Sequence, residues 1–374
     1  MKTMNKREFI KRSAFCMGGL FCAKLFNNAW LEGDDRLWKW SREAIFYEVT
    51  PRGVKCGVCP NGCTLRPGET STCHNRVNYK NKLYTIAYGN PCAVHIDPIE
   101  KKPLLHFLPQ SRAYSIATAG CNLKCLNCQN WDISQTSPKE TRNIDLMPDR
   151  VVEECIANDC TSIAYTYSEP VSFYEYVFDT ARLAHAKGLK NVFISNGYIN
   201  DEPLNKLAPY LDAANINLKS FDNSIYVKLN SGKLQPVLNT LKTLKAHKVW
   251  LEITNLVIPS WTDDFEMIKQ MCEWLVTNGF AEYPLHFNRF FPLYKLTQLP
   301  ATPISTLLKA KEIAENAGCK YVYVGNIPET GTENTFCPKC KKLVVERKGY
   351  AILAMNLKKG KCKFCGYTIN GVWA

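Results

Sequence analysis

The chain has 374 residues, 46% of them hydrophobic, which excludes a disordered chain and suits one main core with small satellites. Its net charge of +13 is scattered, with local densities at both ends and no long basic helix, so nucleic-acid binding is not expected and the charge reads as solubility or an acidic partner. Eighteen cysteines in clusters with metal-ligand spacing favour metals in a reducing compartment over secreted disulfides.

Residues 1–30 open with Asn5-Lys-Arg-Glu-Phe-Ile-Lys11, which resembles a twin-arginine export motif with lysine in place of the first arginine. The apolar run from Ser13 to Ala23 is too short to span a membrane, no Ala-x-Ala site follows, and Phe21 before Cys22 fits a lipoprotein site poorly. A used export signal and a degenerate extension both remain open. Residues 31–110 form a Gly- and Pro-rich module whose Cys56, Cys59, Cys63 and Cys73 can converge on a metal, with His74 or Cys92 as spare ligands. Zinc and a second iron–sulfur cluster satisfy that spacing equally. Residues 97–106 read as a polar connector.

An apolar run from Ala113 to Ala119 reads as a buried strand ending in Gly120. Three cysteines follow at once, Cys121, Cys125 and Cys128. Three thiolates on one loop can hold three of the four irons of a cubane and leave the fourth open to an amino-carboxylate ligand. The alternative is a zinc knuckle, but zinc prefers four ligands from paired C-x2-C units.

From 113 to about 326 strand and helix patterns alternate. Strands are expected at 114–119, 162–167, 191–195, 214–219, 249–258, 285–291 and 321–324, and helices at 149–158, 171–187, 202–211, 234–247, 264–278 and 304–316. Gly188, Gly279 and Gly318 supply helix stops. Such alternation predicts parallel strands with crossover helices, in an open sheet or in a barrel. In these folds chemistry gathers at the C-terminal strand ends, which offers Ser168, Glu169, Asn196, Asn217, Lys219, Glu252, His286, Arg289 and Asn326 as cofactor-binding candidates. Glu169 suits an ammonium group, and Lys219 or Arg289 a carboxylate.

The C-x3-C-x2-C signature resembles that of the radical S-adenosylmethionine superfamily. Tyr165-Thr-Tyr-Ser-Glu-Pro170, Ile194-Ser-Asn-Gly-Tyr198, Asn215-Ile-Asn-Leu-Lys219, Leu251-Glu-Ile-Thr254, Pro284-Leu-His-Phe287, Arg289-Phe-Phe-Pro292 and Gly325-Asn326 make residues 54–328 similar to the AmmeMemoRadiSam-system radical enzymes. That group is itself similar to pyruvate formate-lyase activating enzymes. The resemblance implies a partial (β/α)6 barrel over residues 111–328, a [4Fe–4S] cluster on Cys121, Cys125 and Cys128, and S-adenosylmethionine held by Ser168 and Glu169 at its amino group. It places Asn217 and Lys219 in the ribose and carboxylate region. Two positions depart from the pattern: Asn127 replaces an aromatic before the third cysteine, and Asn217 replaces an aspartate.

The tail, 332–374, carries Cys337-Pro-Lys-Cys340 and Cys362-Lys-Phe-Cys365 on either side of a β-hairpin-length stretch. Two such knuckles close a structural zinc-ribbon or rubredoxin-like site in a unit separate from the barrel. The function expected is reductive cleavage of S-adenosylmethionine and hydrogen abstraction from a protein, in the manner of a glycyl-radical activase, or from a small molecule. A flavodoxin or ferredoxin would supply the electron, which favours the cytoplasm. A non-catalytic electron carrier or adaptor is the alternative.

Overall fold

The computed structural model describes residues 37–327 and 331–373; the export-like segment lies outside them. The cysteine-bearing module begins with six short strands, β1 (Arg42–Glu43), β2 (Tyr47–Thr50), β3 (Gly53–Cys56), β4 (Thr64–Leu65), β5 (Arg76–Tyr79) and β6 (Lys82–Thr85). They form two small antiparallel sheets, β1-β6-β5 and β2-β3-β4. The Arg76 guanidinium is buried in a two-pronged pair with Glu175, at 3.0 and 2.9 Å, which ties the module to the helical layer.

The main sheet has eight strands in strictly sequential order: β7 (Ala93–Pro98), β8 (Arg112–Ala117), β9 (Ser162–Tyr165), β10 (Lys190–Ser195), β11 (Ala213–Asn217), β12 (Trp250–Val257), β13 (Leu285–Arg289) and β14 (Val322–Gly325). β7 runs antiparallel to β8 and the remaining pairs are parallel. Six helices make the crossovers: α1 (Pro148–Ala157), α2 (Tyr174–Ala186), α3 (Asp201–Leu207), α4 (Leu234–Ala246), α5 (Phe265–Thr277) and α6 (Ile304–Ala317). Right-handed crossovers between strands taken in order place every helix on one face, and α1 packs on α2, α3 on α4, and α5 on α6. The sheet is mixed, and its ends do not pair to close a barrel.

Two expectations change. Residues 97–106 are no polar connector. Asp97 and Pro98 end β7, and Ile99, Leu104 and Phe107 then pack against Ala113, Ala164, Val192, Ala213 and Trp250, plugging the sheet where its strands begin. Hydrophobic burial on that scale outweighs the charges the stretch carries, because Lys102 finds a buried partner: its Nζ donates to Asp97 Oδ2 at 2.5 Å and stands 4.5 Å from the Tyr167 ring centre. Nor does the tail stand apart. β15 (Thr335–Phe336), β16 (Leu343–Lys348) and β17 (Ala351–Met355) form one sheet, β18 (Leu357–Lys358) and β19 (Lys361–Cys362) another. Val344, Cys337, Cys362 and Ile369 share a core with Leu105, Tyr321 and Tyr323.

Burial pushes the Asp97 carboxyl up, yet hydrogen bonds from Lys101, Lys102 and Tyr167 outweigh it and hold the group well below the usual carboxylate range. Ionised Asp97 therefore stabilises the fold above the ordinary carboxylate pKa, and that stability is lost as the pH falls toward its lower folded value. Asp97→Asn is expected to cost about 2–4 kcal/mol at pH 7 and to lessen the loss on acidification. Denaturant unfolding at pH 7 and at about pH 2.5, below the ordinary carboxylate pKa, checks this; wild-type stability in the variant at pH 7 would exclude the pair as a stabilising feature.

Candidate metal centre

After β8 the chain turns at Gly120, whose φ is +101°. A Cβ at this position would stand 2.4 Å from Asn75 Oδ1 and 2.5 Å from the Cys73 carbonyl oxygen, so the module presses on the turn that launches the cysteine loop. The loop is fastened along its length. Asn122 Nδ2 donates to the Tyr198 carbonyl at 2.7 Å, and the Lys124 and Leu126 N–H groups donate to the Asn230 and Leu229 carbonyls at 2.9 Å each. Lys295 N–H donates to the Leu126 carbonyl at 3.0 Å.

The three thiols are buried or half-buried, and donors point at each. Cys121 Sγ accepts from Leu123 N–H at 3.4 Å and lies 3.8 Å from Asn196 Nδ2; Cys125 Sγ accepts from Asn230 Nδ2 at 3.1 Å. The Asn130 N–H and the Ser134 hydroxyl serve Cys128. Burial pushes the Cys121 thiol well up, and Glu169, Cys125 and Cys128 add to the effect. Cys128 is pushed up to about 11 by burial and by Cys125, with Lys219 acting the other way. Thiols crowded in this way ionise when a metal cation takes the protons' place. Three soft donors on one loop, with N–H groups ready for charged sulfur, fit a cluster that keeps one iron open.

Of the predicted cofactor residues, Asn196 touches this loop, Glu169 and Lys219 act on its thiols through their charge, and Ser168 and Asn217 bond to the adjoining strand ends. Glu169 is buried; Oε1 accepts from Ser195 Oγ at 2.7 Å and Val171 N–H at 3.1 Å, and Oε2 from Asn196 N–H at 2.8 Å. A carboxylate has about four acceptor sites, so roughly one remains for a further donor. Burial raises Glu169, while its three donors and the charge of Lys219 lower it. Lys219 is half-buried and makes no ion pair among the described residues, yet its charge reaches both Glu169 and Cys128. Ser168 Oγ donates to the Thr118 carbonyl at 2.6 Å, and Asn217 Nδ2 to the Ser195 carbonyl at 3.5 Å.

The other four lie elsewhere. Glu252 and His286 are near the start of β12 and β13, where they bond each other at 2.7 Å. The Glu252 carboxylate also accepts from the Leu105 and His106 N–H groups, at 3.0 and 2.7 Å. They hold the plug. His106 in turn bonds the Asn370 carbonyl through Nδ1 at 2.6 Å and Tyr323 Oη through Nε2 at 2.5 Å, and burial pushes it down to about 4, so it joins plug to tail as a neutral ring. Arg289 Nε donates to the Thr302 carbonyl at 2.8 Å, and exposed Asn326 donates to the Arg289 carbonyl at 3.3 Å, both at the rim. Ser195, Asn122 and Asn230 are site residues that the sequence reading missed. Asn230 ends a π-turn, Tyr226–Asn230, just before left-handed Ser231, and the polar Asn-Ser-Gly run after Leu229 is its only sequence signal.

In the tail, Cys337, Cys340, Cys362 and Cys365 have all four sulfurs within 4.8 Å of one another, with Cys337–Cys365 at 3.6 Å and Cys340–Cys362 at 3.7 Å. A tetrahedral ion with bonds of about 2.3 Å spaces its sulfurs about 3.8 Å apart. The tail can hold a metal.

The family model described as Radical SAM superfamily matches residues 115–275. The chain belongs to that superfamily. An archaeal relative, uncharacterized protein MJ0808 of Methanocaldococcus jannaschii, is 43% identical over 332 residues, covering 88% of this chain and 99% of its own. The pyruvate formate-lyase 1-activating enzyme of Escherichia coli K12 is 24% identical over 218 residues, 54% of this chain and 89% of that one. Among solved structures, a radical SAM methyltransferase from Sphaerobacter thermophilus aligns with a TM-score of 0.47 at 13% identity, covering 59% of this chain and 67% of the other. Among the described residues no helix is long and apolar enough to cross a membrane.

Proposed function

We propose that the chain is a radical SAM enzyme of the AmmeMemoRadiSam type that abstracts hydrogen from a protein or small-molecule substrate, in the cytoplasm, with a flavodoxin- or ferredoxin-type electron donor. The observation that carries this reading is the meeting of three fastened thiols with buried Glu169, whose carboxylate accepts from the N–H of Asn196 while the Asn196 amide lies 3.8 Å from Cys121 Sγ. Similarity to the Escherichia coli activating enzyme supports a protein substrate.

A [4Fe–4S] cluster and S-adenosylmethionine held here would supply one-electron reductive cleavage of the sulfonium, the source of hydrogen-abstracting power. Cys121, Cys125 and Cys128 would hold three irons. The Asn230 and Asn196 amides donate to the sulfurs and stabilise negative charge there, which tunes the potential. Glu169 has an acceptor site left for the methionine ammonium, Lys219 brings a cation for the carboxylate, and Asn217 stands at the ribose side. In the tail, zinc on Cys337, Cys340, Cys362 and Cys365 would staple a unit too small for a sufficient core of its own.

Anaerobic reconstitution with iron and sulfide, then reduction with S-adenosylmethionine present, is expected to yield 5′-deoxyadenosine. Glu169→Gln replaces one carboxylate oxygen by a donor. Loss of a charge-assisted bond of about 1.5–3 kcal/mol raises the KM for S-adenosylmethionine about 10- to 150-fold while the cluster absorbance stays. An unchanged KM would remove Glu169 from cofactor binding.

A further inference from the structure

Cys56, Cys59, Cys63 and Cys73 form a second group of thiols that the function above does not use. All four line one small cavity, with Ser71 and Arg76 beside them. β3 delivers Cys56, Gly62 closes a turn back to the Cys59 carbonyl, and Cys56 N–H donates to the Cys63 carbonyl at 2.9 Å. The N–H groups of Val58, Asn61 and Asn75 serve the sulfurs of Cys56, Cys59 and Cys73, and Ser71 Oγ lies 3.1 Å from Cys73 Sγ. Donors ring the sulfurs as they would ring metal-bound thiolates.

The tail provides a scale for what metal they suit. Its four sulfurs have drawn within 4.8 Å of one another, as a single tetrahedral ion requires. Among the described residues, no three sulfurs of the module group come that close, although all four face the same cavity. The loop thiols Cys121, Cys125 and Cys128 are spread in the same way. A cubane sets its irons at separate corners and so holds its thiolates wider than one ion can.

We propose that Cys56, Cys59, Cys63 and Cys73 hold a second [4Fe–4S] cluster, ligated entirely by protein. With four thiolates it has no open iron, so it carries electrons and binds no cofactor. Its cavity shares a wall with the cysteine loop: Asn122 and Ser172 line it, Asn61 Nδ2 donates to the Asn122 carbonyl at 2.7 Å, and Ser172 Oγ donates to the Gly120 carbonyl at 3.1 Å. Such a cluster would take one electron from a reduced flavodoxin or ferredoxin and pass it to the cluster that Cys121, Cys125 and Cys128 would hold. The cluster assignment stands without the proposed function; the relay rests on it.

The test is metal and sulfide analysis of the reconstituted full chain. About eight irons, eight sulfides and one tail metal are expected, and Cys56→Ser/Cys59→Ser removes about four irons while leaving the tail metal. Reduced wild type is expected to show an electron paramagnetic resonance signal broadened by coupling between two clusters, and the double variant a simple one. The Cys121→Ala/Cys125→Ala/Cys128→Ala variant keeps about four irons. Wild type with about four irons and two zincs overturns the proposal without needing any variant to fold. Flavodoxin-driven cleavage is expected to fall at least about tenfold in Cys56→Ser/Cys59→Ser relative to dithionite-driven cleavage; an equal effect on both overturns the relay. A chain with eight irons that cleaves no S-adenosylmethionine overturns the enzyme and the relay but supports the second cluster.

Discussion

Cys125→Ala is expected to lower 5′-deoxyadenosine formation at least about a thousandfold, more than about 4 kcal/mol of barrier. Cys125 is the buried middle thiol of the loop, and in the proposed enzyme it would be one of three ligands. Two thiolates cannot retain a cubane against solvent and chelators, so iron falls by about four per chain. The fold loses less. Alanine leaves the Asn230 amide without its sulfur acceptor, at a cost of about 1–3 kcal/mol, and the loop keeps its backbone bonds to Leu229 and Asn230. Activity lost together with iron, in a chain that still melts cooperatively, is the signature of a ligand. Retained activity would exclude Cys125 as one.

Gly120→Ala is expected to be the most damaging single-methyl change near the site. It adds left-handed strain to contacts of 2.4 and 2.5 Å with Asn75 and Cys73, together about 2–6 kcal/mol. Gly188→Ala is the control, since Gly188 has φ +75° and nothing within 4 Å of its would-be Cβ; strain alone costs about 1–2 kcal/mol there. Comparing the two variants by denaturant unfolding separates clash from strain. Equal losses would mean that the module does not press on the loop; a larger loss at Gly120, with poorer iron loading, is the expected outcome.

The features readable from sequence were those set by short-range spacing. Cysteine ligands three or four residues apart and apolar periods within single helices are local, and α1, α4, α5 and α6 fall within a residue or two of their expected bounds. Long-range partners were not readable. β7 exists because Val94 and Ile96 find Ile116 and Tyr114 across an antiparallel ladder, and nothing within 93–98 announces that pairing. The 97–106 stretch looked polar because Asp97, Glu100, Lys101 and Lys102 are charged, while the wall that Ile99 and Leu104 pack against is built from distant Ala113, Ala164, Val192, Ala213 and Trp250. Glu252 and His286 resembled strand-end site residues for a related reason. A carboxylate and an imidazole bound for a cofactor cannot be told by type from a pair that grips two backbone N–H groups of a plug. Glu169 and Asn196 come together with Cys121 because they end adjacent parallel strands, a placement that strand order alone implies.

The fastening of the cysteine loop bears on how the protein would withstand oxygen. Ordering a residue costs about 1–2 kcal/mol of backbone entropy, and between 122 and 126 the bonds to Tyr198, Asn230, Leu229 and Lys295 meet that cost within the polypeptide itself. The path of the loop between Cys121 and Cys128 is thus fixed by bonds of the polypeptide alone. In the proposed enzyme, oxidative damage to the cluster would then remove a guest from a standing frame, and repair would be a matter of reduction and resupply, with no refolding step between an injured molecule and a working one.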